Sequence, residues 1–163
     1  MKPDTLKLIL DPCCGGKMFW FDKCNPNVLF CDNRQIDVNT NDGSGFEVKP
    51  DIVCDFTCLP FPDNSFVHVV FDPPQQLYKG RGGRMALHYT ILPKDWQGVI
   101  RKGFNECWRV LAVYGTLIFK WSEHDIPLKK VLEVIEREPL YGHKSGKRAM
   151  THWLSFVKLS EGG

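Results

Sequence analysis

The residues of this chain with the clearest chemical potential are Asp72, Pro73 and Pro74, which close the apolar run Val69-Val70-Phe71. A strand that ends in Asp-Pro-Pro leaves a carboxylate beside an uncovered proline carbonyl, and the rings hold these acceptors rigidly because they fix φ and remove amide hydrogens. Together the carboxylate and the carbonyl can bind both hydrogens of a planar amino group. So held, the nitrogen can rehybridise and aim a lone pair at an electrophilic carbon, making orientation and electrostatics the main catalytic terms. Standing alone, the same tripeptide makes a rigid turn after a buried strand.

A second set precedes it. Asp11-Pro12-Cys13-Cys14-Gly15-Gly16 places two glycines where the backbone must turn sharply and approach a ligand, directly after a strand that ends in a carboxylate. Asp32, 16 residues beyond Gly16, suits a carboxylate that accepts hydrogen bonds from both ribose hydroxyls. Asp55-Phe56 offers a carboxylate for an adenine amino hydrogen and a ring to pack against the purine. A dinucleotide site would ask for G-x-G-x-x-G and a long helix facing a pyrophosphate. Here Lys17, Met18 and Phe19 follow the glycines and Pro26 leaves little room for a helix. The pattern describes an adenosine pocket without a pyrophosphate site, which S-adenosylmethionine fits. Its sulfonium and ammonium are cationic, giving Asp11 an electrostatic role. The expected cofactor-site residues are Asp11, Cys13, Gly15, Gly16, Asp32, Asp55, Phe56 and Asp72.

The elements that position these groups follow from hydrophobic patterning. Leu6 to Leu10, Val28 to Cys31, Ile52 to Cys54 and Val67 to Phe71 are short apolar runs, and an aspartate follows each. In an open parallel sheet ligands bind beyond the carboxyl ends of the strands, so these aspartates converge on one crevice. Ile36 to Val38 and Phe46 to Val48 flank a glycine- and asparagine-rich stretch and predict a hairpin. From Trp96 the apolar stripe through Val99, Ile100, Phe104, Cys107, Trp108 and Leu111 predicts a helix packed on a sheet. Gly115 opens a strand through Trp121, a second helix follows from Leu128 to Ile135 with Pro127 in its first turn, and Trp153 to Val157 is a last strand. This alternation gives an α/β class with a largely parallel sheet. Lys120, near the end of its strand, projects toward the same crevice, where it either binds a phosphate or acceptor oxygen or simply caps the strand.

The succession DPCCGG, VLFCD, DIVCDFTCLPFPDNSF, VVFDPP, FNECWRVL and YGTLIFKW resembles class I S-adenosylmethionine-dependent methyltransferases along nearly the whole chain, most closely the compact phage- and prophage-type members. The resemblance implies a Rossmann-like seven-stranded, mostly parallel sheet flanked by helices, with the last strand, near Trp153, inserted antiparallel. It places Asp11, Gly15, Gly16, Asp32 and Asp55 on the cofactor and Asp72 to Gln75 on the acceptor. Amino-methylating enzymes acting on bases usually carry an aromatic residue after Asp-Pro-Pro to stack the extruded ring. This chain has Gln75 there, and Gln75 to Pro93 is loop-sized rather than a recognition domain. Tyr78, His88 and Tyr89 are alternative stacking surfaces. The expected reaction is methyl transfer from S-adenosylmethionine to an exocyclic amino nitrogen of a DNA or RNA base, with Asp72, Pro73, Pro74, Gln75 and Lys120 at the transfer site. A small-molecule or protein acceptor, or a non-catalytic cofactor-binding subunit, are the alternatives. Recognition is expected from the loop, a homo-oligomer or a separate subunit.

Composition bounds the rest. At 163 residues the chain is read as one domain, 1–163, with 43% hydrophobic and 25% charged residues and no run long enough to span a bilayer. Lys2, Asp4 and Lys7 interrupt any secretory signal, so a cytoplasmic location is expected. The seven cysteines lack a spaced framework and are read as reduced; zinc is not expected, since no C-x-x-C pair is present and the adjacent Cys13 and Cys14 cannot both take tetrahedral positions easily. The net charge of +2 is uninformative about nucleic acid, though Lys79, Arg81 and Arg84, and Lys144, Lys147 and Arg148, form local basic clusters.

Overall fold

The computed structural model describes residues 7–38, 45–77, 90–144 and 150–160. In chain order the strands are β1 (Ile9–Asp11), β2 (Val28–Asp32), β3 (Ile36–Val38), β4 (Phe46–Val48), β5 (Ile52–Val53), β6 (Phe66–Phe71), β7 (Leu111–Ser122), β8 (Tyr141–Lys144) and β9 (Thr151–Val157). Two helices lie among the described residues, α1 (Trp96–Val110) and α2 (Leu128–Ile135). Seven strands form one sheet in the order β5-β2-β1-β6-β7-β9-β8, and β3 and β4 form the separate antiparallel hairpin. The strands from β5 to β7 run parallel, while β9 is inserted antiparallel between β7 and β8.

The central strands are apolar on the face that α1 and α2 cover. Leu10, Val69 and Phe71 have no exposed surface, nor do Leu117, Phe119 and Trp121 at alternate positions of β7. The α1 stripe, with Ile100, Phe104 and Cys107 fully buried, lies over β6 and β7 and beside α2. Each such large apolar side chain contributes about 1.5–3 kcal/mol on burial. Close approach of helix to sheet requires Gly103: a Cβ there would stand 2.5 Å from the Phe56 ring and 2.9 Å from Phe71. Gly103→Ala is therefore expected to cost about 1–3 kcal/mol through overpacking, read as a lower urea midpoint; an unchanged midpoint would mean that the helix shifts freely.

Three boundaries differ from the sequence expectation. β7 begins at Leu111 rather than Gly115, because Leu111 pairs with Phe66 before a register shift restores pairing at His68 and Thr116. Pro127 lies just before α2 rather than within its first turn. β8 had no sequence signal: Tyr141-Gly142-His143-Lys144 is exposed throughout and lacks alternation, yet it pairs with β9 as an edge strand. No helix occupies residues 12–27; a chain of turns stabilised by Asx-type bonds, such as Cys24 N–H to Asp22, covers Val28 and Phe30 instead. Among the described residues no helix is long and apolar enough to cross a membrane.

Candidate functional site

The sheet order converts four separate strand ends into one row of carboxylates. Asp11 and Asp32 are the last residues of β1 and β2, Asp72 directly follows β6, and Asp55 stands two residues beyond β5. Since β5, β2, β1 and β6 are neighbours, the rim reads Asp55, Asp32, Asp11, Asp72.

Asp11 is completely buried. Burial raises its pKa to about 7, helped by the charges of Asp72 and Asp32 and opposed by hydrogen bonds from the Trp20 indole N–H (2.7 Å) and the Cys13 N–H (3.2 Å). Gly15 has φ 48°, a left-handed conformation that glycine adopts without strain, and the space where its Cβ would stand meets only the Arg34 guanidinium, at 4.0 Å. The Phe46 ring of the hairpin lies against Gly16. Cys13 contributes its backbone to the turn; its thiol packs on the core, where burial pushes its pKa well up.

Asp32 accepts the Gly15 N–H (2.9 Å) and thereby fixes the glycine turn to β2. Its carboxylate also takes the Arg34 backbone N–H and Nε, each at 3.0 Å, so a ribose would share it with Arg34 or displace the guanidinium. Asp55 is exposed; one oxygen accepts the Thr57 N–H and hydroxyl, each at 2.8 Å, closing an Asx turn. Phe56 departs from expectation. Its ring is turned into the core against Phe71, 5.5 Å between centroids, and beneath Gly103, so it packs the interior rather than presenting a face to a purine.

The transfer-site candidates do meet. Lys120 Nζ bonds Asp72 Oδ2 at 2.6 Å, the Gln75 amide donates to Asp72 Oδ1 at 2.7 Å and to the Lys120 carbonyl at 3.0 Å, and the Ser122 N–H donates to Gln75 Oε1 at 2.7 Å. Burial raises the pKa of Asp72, against the opposing effects of Lys120 and Gln75. The carbonyl that shares the Gln75 amino group with Asp72 is that of Lys120, on β7.

Residues without a sequence assignment complete the site. Trp20 holds Asp11, Arg34 holds Asp32, and the rings of Phe19 and Trp153 lie 5.5 and 5.6 Å from Lys120 Nζ and 5.6 Å from each other. The signal was the Met18-Phe19-Trp20-Phe21 run after the glycines, too polar in its surroundings to be a core strand. Lys144 is paired with Glu123, while Tyr78, Lys79, Arg81, Arg84, His88, Tyr89, Lys147 and Arg148 lie outside the described residues. All seven cysteines are free thiols, and among the described residues no group of His, Cys, Asp or Glu is arranged to hold a metal.

The seven-stranded sheet, parallel but for one antiparallel strand inserted next to the edge, has a fold shared with a solved S-adenosylmethionine-dependent methyltransferase. Among solved structures the chain is similar to the PH0226 protein of Pyrococcus horikoshii OT3, at 15% identity over 92% of this chain and 81% of that one, with a TM-score of 0.54. It is similar also to an S-adenosylmethionine-dependent methyltransferase of Leishmania major (12% identity, 95% and 66% covered, TM-score 0.51). A third likeness is to protein Atu636 of Agrobacterium tumefaciens, described as a predicted O-methyltransferase (13% identity, 98% and 77% covered, TM-score 0.50). At these identities the likeness is one of fold. No protein-family model matches the chain, and no curated protein matches it in sequence.

Proposed function

We propose that the chain is an S-adenosylmethionine-dependent methyltransferase whose acceptor is an exocyclic amino nitrogen of a DNA or RNA base. The observation that carries this reading is that Asp72 Oδ1 and the Lys120 carbonyl together hold a planar NH2 group, the amide of Gln75, at the end of β6. An acceptor amino group gripped in the same way presents its nitrogen with both hydrogens engaged, and Asp72 stabilises the positive charge that develops there.

The residues fit the cofactor. The glycine turn is left-handed, with only the Arg34 side chain against Gly15, no helix follows it to cradle a pyrophosphate, and carboxylates end adjacent strands. Asp32 and Asp55 would hold the ribose and adenine, and Asp11 would face the cationic end. When bound, S-adenosylmethionine supplies an electrophilic methyl group. Recognition beyond the base is assigned to the Lys79, Arg81 and Arg84 segment or to a separate subunit.

The test is twofold: calorimetry with S-adenosylmethionine and S-adenosylhomocysteine, and mass spectrometry of nucleosides from DNA and RNA with and without the expressed protein. Folded protein that binds neither ligand sinks the cofactor assignment; new methylation on nitrogen supports the acceptor. Asp32→Ala is expected to weaken both ligands by about one to two decades, since charge-assisted hydrogen bonds contribute ~1.5–3 kcal/mol. The loss includes loosening of the Gly15 turn, which gives up its acceptor in the same variant.

A further inference from the structure

Gln75 stands where base-methylating enzymes usually carry an aromatic ring, and its side chain is fully engaged. Its Nε2 donates to Asp72 Oδ1 and the Lys120 carbonyl, and its Oε1 accepts from the Ser122 N–H. The surrounding groups therefore present a fixed order of carboxylate, carbonyl and N–H, complementary to an edge that carries an amino group beside an acceptor. A carboxamide has that edge. So do adenine, with N6 beside N1, and cytosine, with N4 beside N3, on the side of the base remote from the sugar. Uracil and thymine have no amino group, and the amino group of guanine has its neighbouring acceptor, N3, on the sugar side.

We propose that Gln75 is an internal stand-in for the acceptor, occupying the base site until an adenine or cytosine displaces it. The entering amino hydrogens take Asp72 Oδ1 and the Lys120 carbonyl, and N1 or N3 accepts from the Ser122 N–H. The inference rests on the nucleobase reading above and narrows it to two bases. Asp72 does not lose its charge partner in the exchange, because Lys120 holds the other oxygen at 2.6 Å. The partly buried rings of Phe19 and Trp153 flank Lys120 Nζ on the Oδ2 side of Asp72, and apolar faces beside that carboxylate favour a flat aromatic ligand over a peptide carboxamide. The apparent affinity for the base is lowered by the fraction of molecules in which Gln75 fills the site.

Equilibrium binding of fluorescent single-stranded oligonucleotides made only of adenine, only of cytosine or only of thymine tests this on the full chain without cofactor. Gln75→Ala is expected to bind the adenine or the cytosine oligonucleotide about tenfold more tightly than wild type or better, with thymine unchanged. Replacing adenine by 1-deazaadenine, which lacks the acceptor for Ser122, should remove the gain. No gain in a variant that melts like wild type overturns the proposal, as does an equal gain for thymine. A gain confined to a glutamine-containing peptide overturns it too, by assigning the site to protein carboxamides. Should Gln75→Ala fail to fold, Gln75→Ser provides the same comparison. Calorimetry with S-adenosylhomocysteine on the same samples keeps the two readings apart: absent binding tells against methyl transfer itself, whereas intact binding with no Gln75 effect tells against the stand-in alone.

Discussion

Asp72→Ala is expected to leave S-adenosylmethionine affinity close to that of wild type and to reduce methyl transfer on the order of a hundredfold or more, the loss typical of removing one preorganised electrostatic group. The separation follows from the proposed reading, in which Asp32 and Asp55 would take the ribose and adenine, and from the geometry at Asp72, which is bound to Lys120 and Gln75. Asn at the same position should recover part of the rate, because its oxygen still accepts an amino hydrogen without the charge. The melting temperature must be measured alongside, since the variant leaves the Lys120 ammonium, only 26% exposed, without its partner. Lost cofactor binding would show that Asp72, expected at both the cofactor and the transfer site, serves chiefly the cofactor, and full activity would reduce Asp-Pro-Pro to a turn.

The second large effect is on stability. Asp11 has its pKa raised from 3.8 to about 7 by burial, in a side chain with no exposed surface. Below pH 3.8 the folded and unfolded chains both carry the proton; between 3.8 and about 7 the unfolded chain releases it and the folded one keeps it. Stability from this group therefore falls as pH rises through that window, by about 1.4 kcal/mol per pH unit and roughly 4 kcal/mol in all, and the loss is complete above the folded pKa. Asp11→Asn should flatten this part of the curve. Asn offers one acceptor oxygen to the two donors, Trp20 and Cys13, so a constant penalty of ~1–3 kcal/mol offsets part of its advantage at high pH. Urea unfolding of both proteins at pH 5 and pH 8 reads the difference in slope, which is independent of that penalty. Equal slopes would show that Asp11 ionises without strain. The same carboxyl links binding to pH: a cation at Asp11 favours its charged form, so cofactor affinity should rise as pH increases through 7.

The sheet was legible where chemistry and periodicity coincided. The β1, β2 and β6 runs end at or beside an aspartate, the β3–β4 hairpin is bracketed by its apolar triplets, and the α1 stripe repeats for a full 15 residues. The strand β8 was not, because an exposed edge strand pairs through its backbone and leaves no pattern in its side chains. In the site, residue types on strand ends could be read, but their partners could not. Nothing in the sequence brings Trp20 to Asp11, or turns Phe56 inward beneath a glycine 47 residues away, since such contacts depend on how the sheet is ordered. Gln75 was visible as a departure from an aromatic; its meaning required the backbone of β7 beside it.

The junction of α1 with β7 has a consequence for how such a small scaffold can diversify. Val110 ends the helix and Leu111 begins the strand, with no residue between them, and Arg109 one position earlier is bonded to the carbonyls of Leu59 and Phe61. Helix and strand are thereby welded, and the weld lies at the end of β7 opposite Lys120. An insertion there would break the pairing that places Lys120 against Asp72. Gln76 and Ile91, by contrast, form a bridge four residues beyond Asp72, so length added between them would leave the register of the seven-stranded sheet unchanged. New specificities can accumulate on one side of the molecule while the other stays fixed in length.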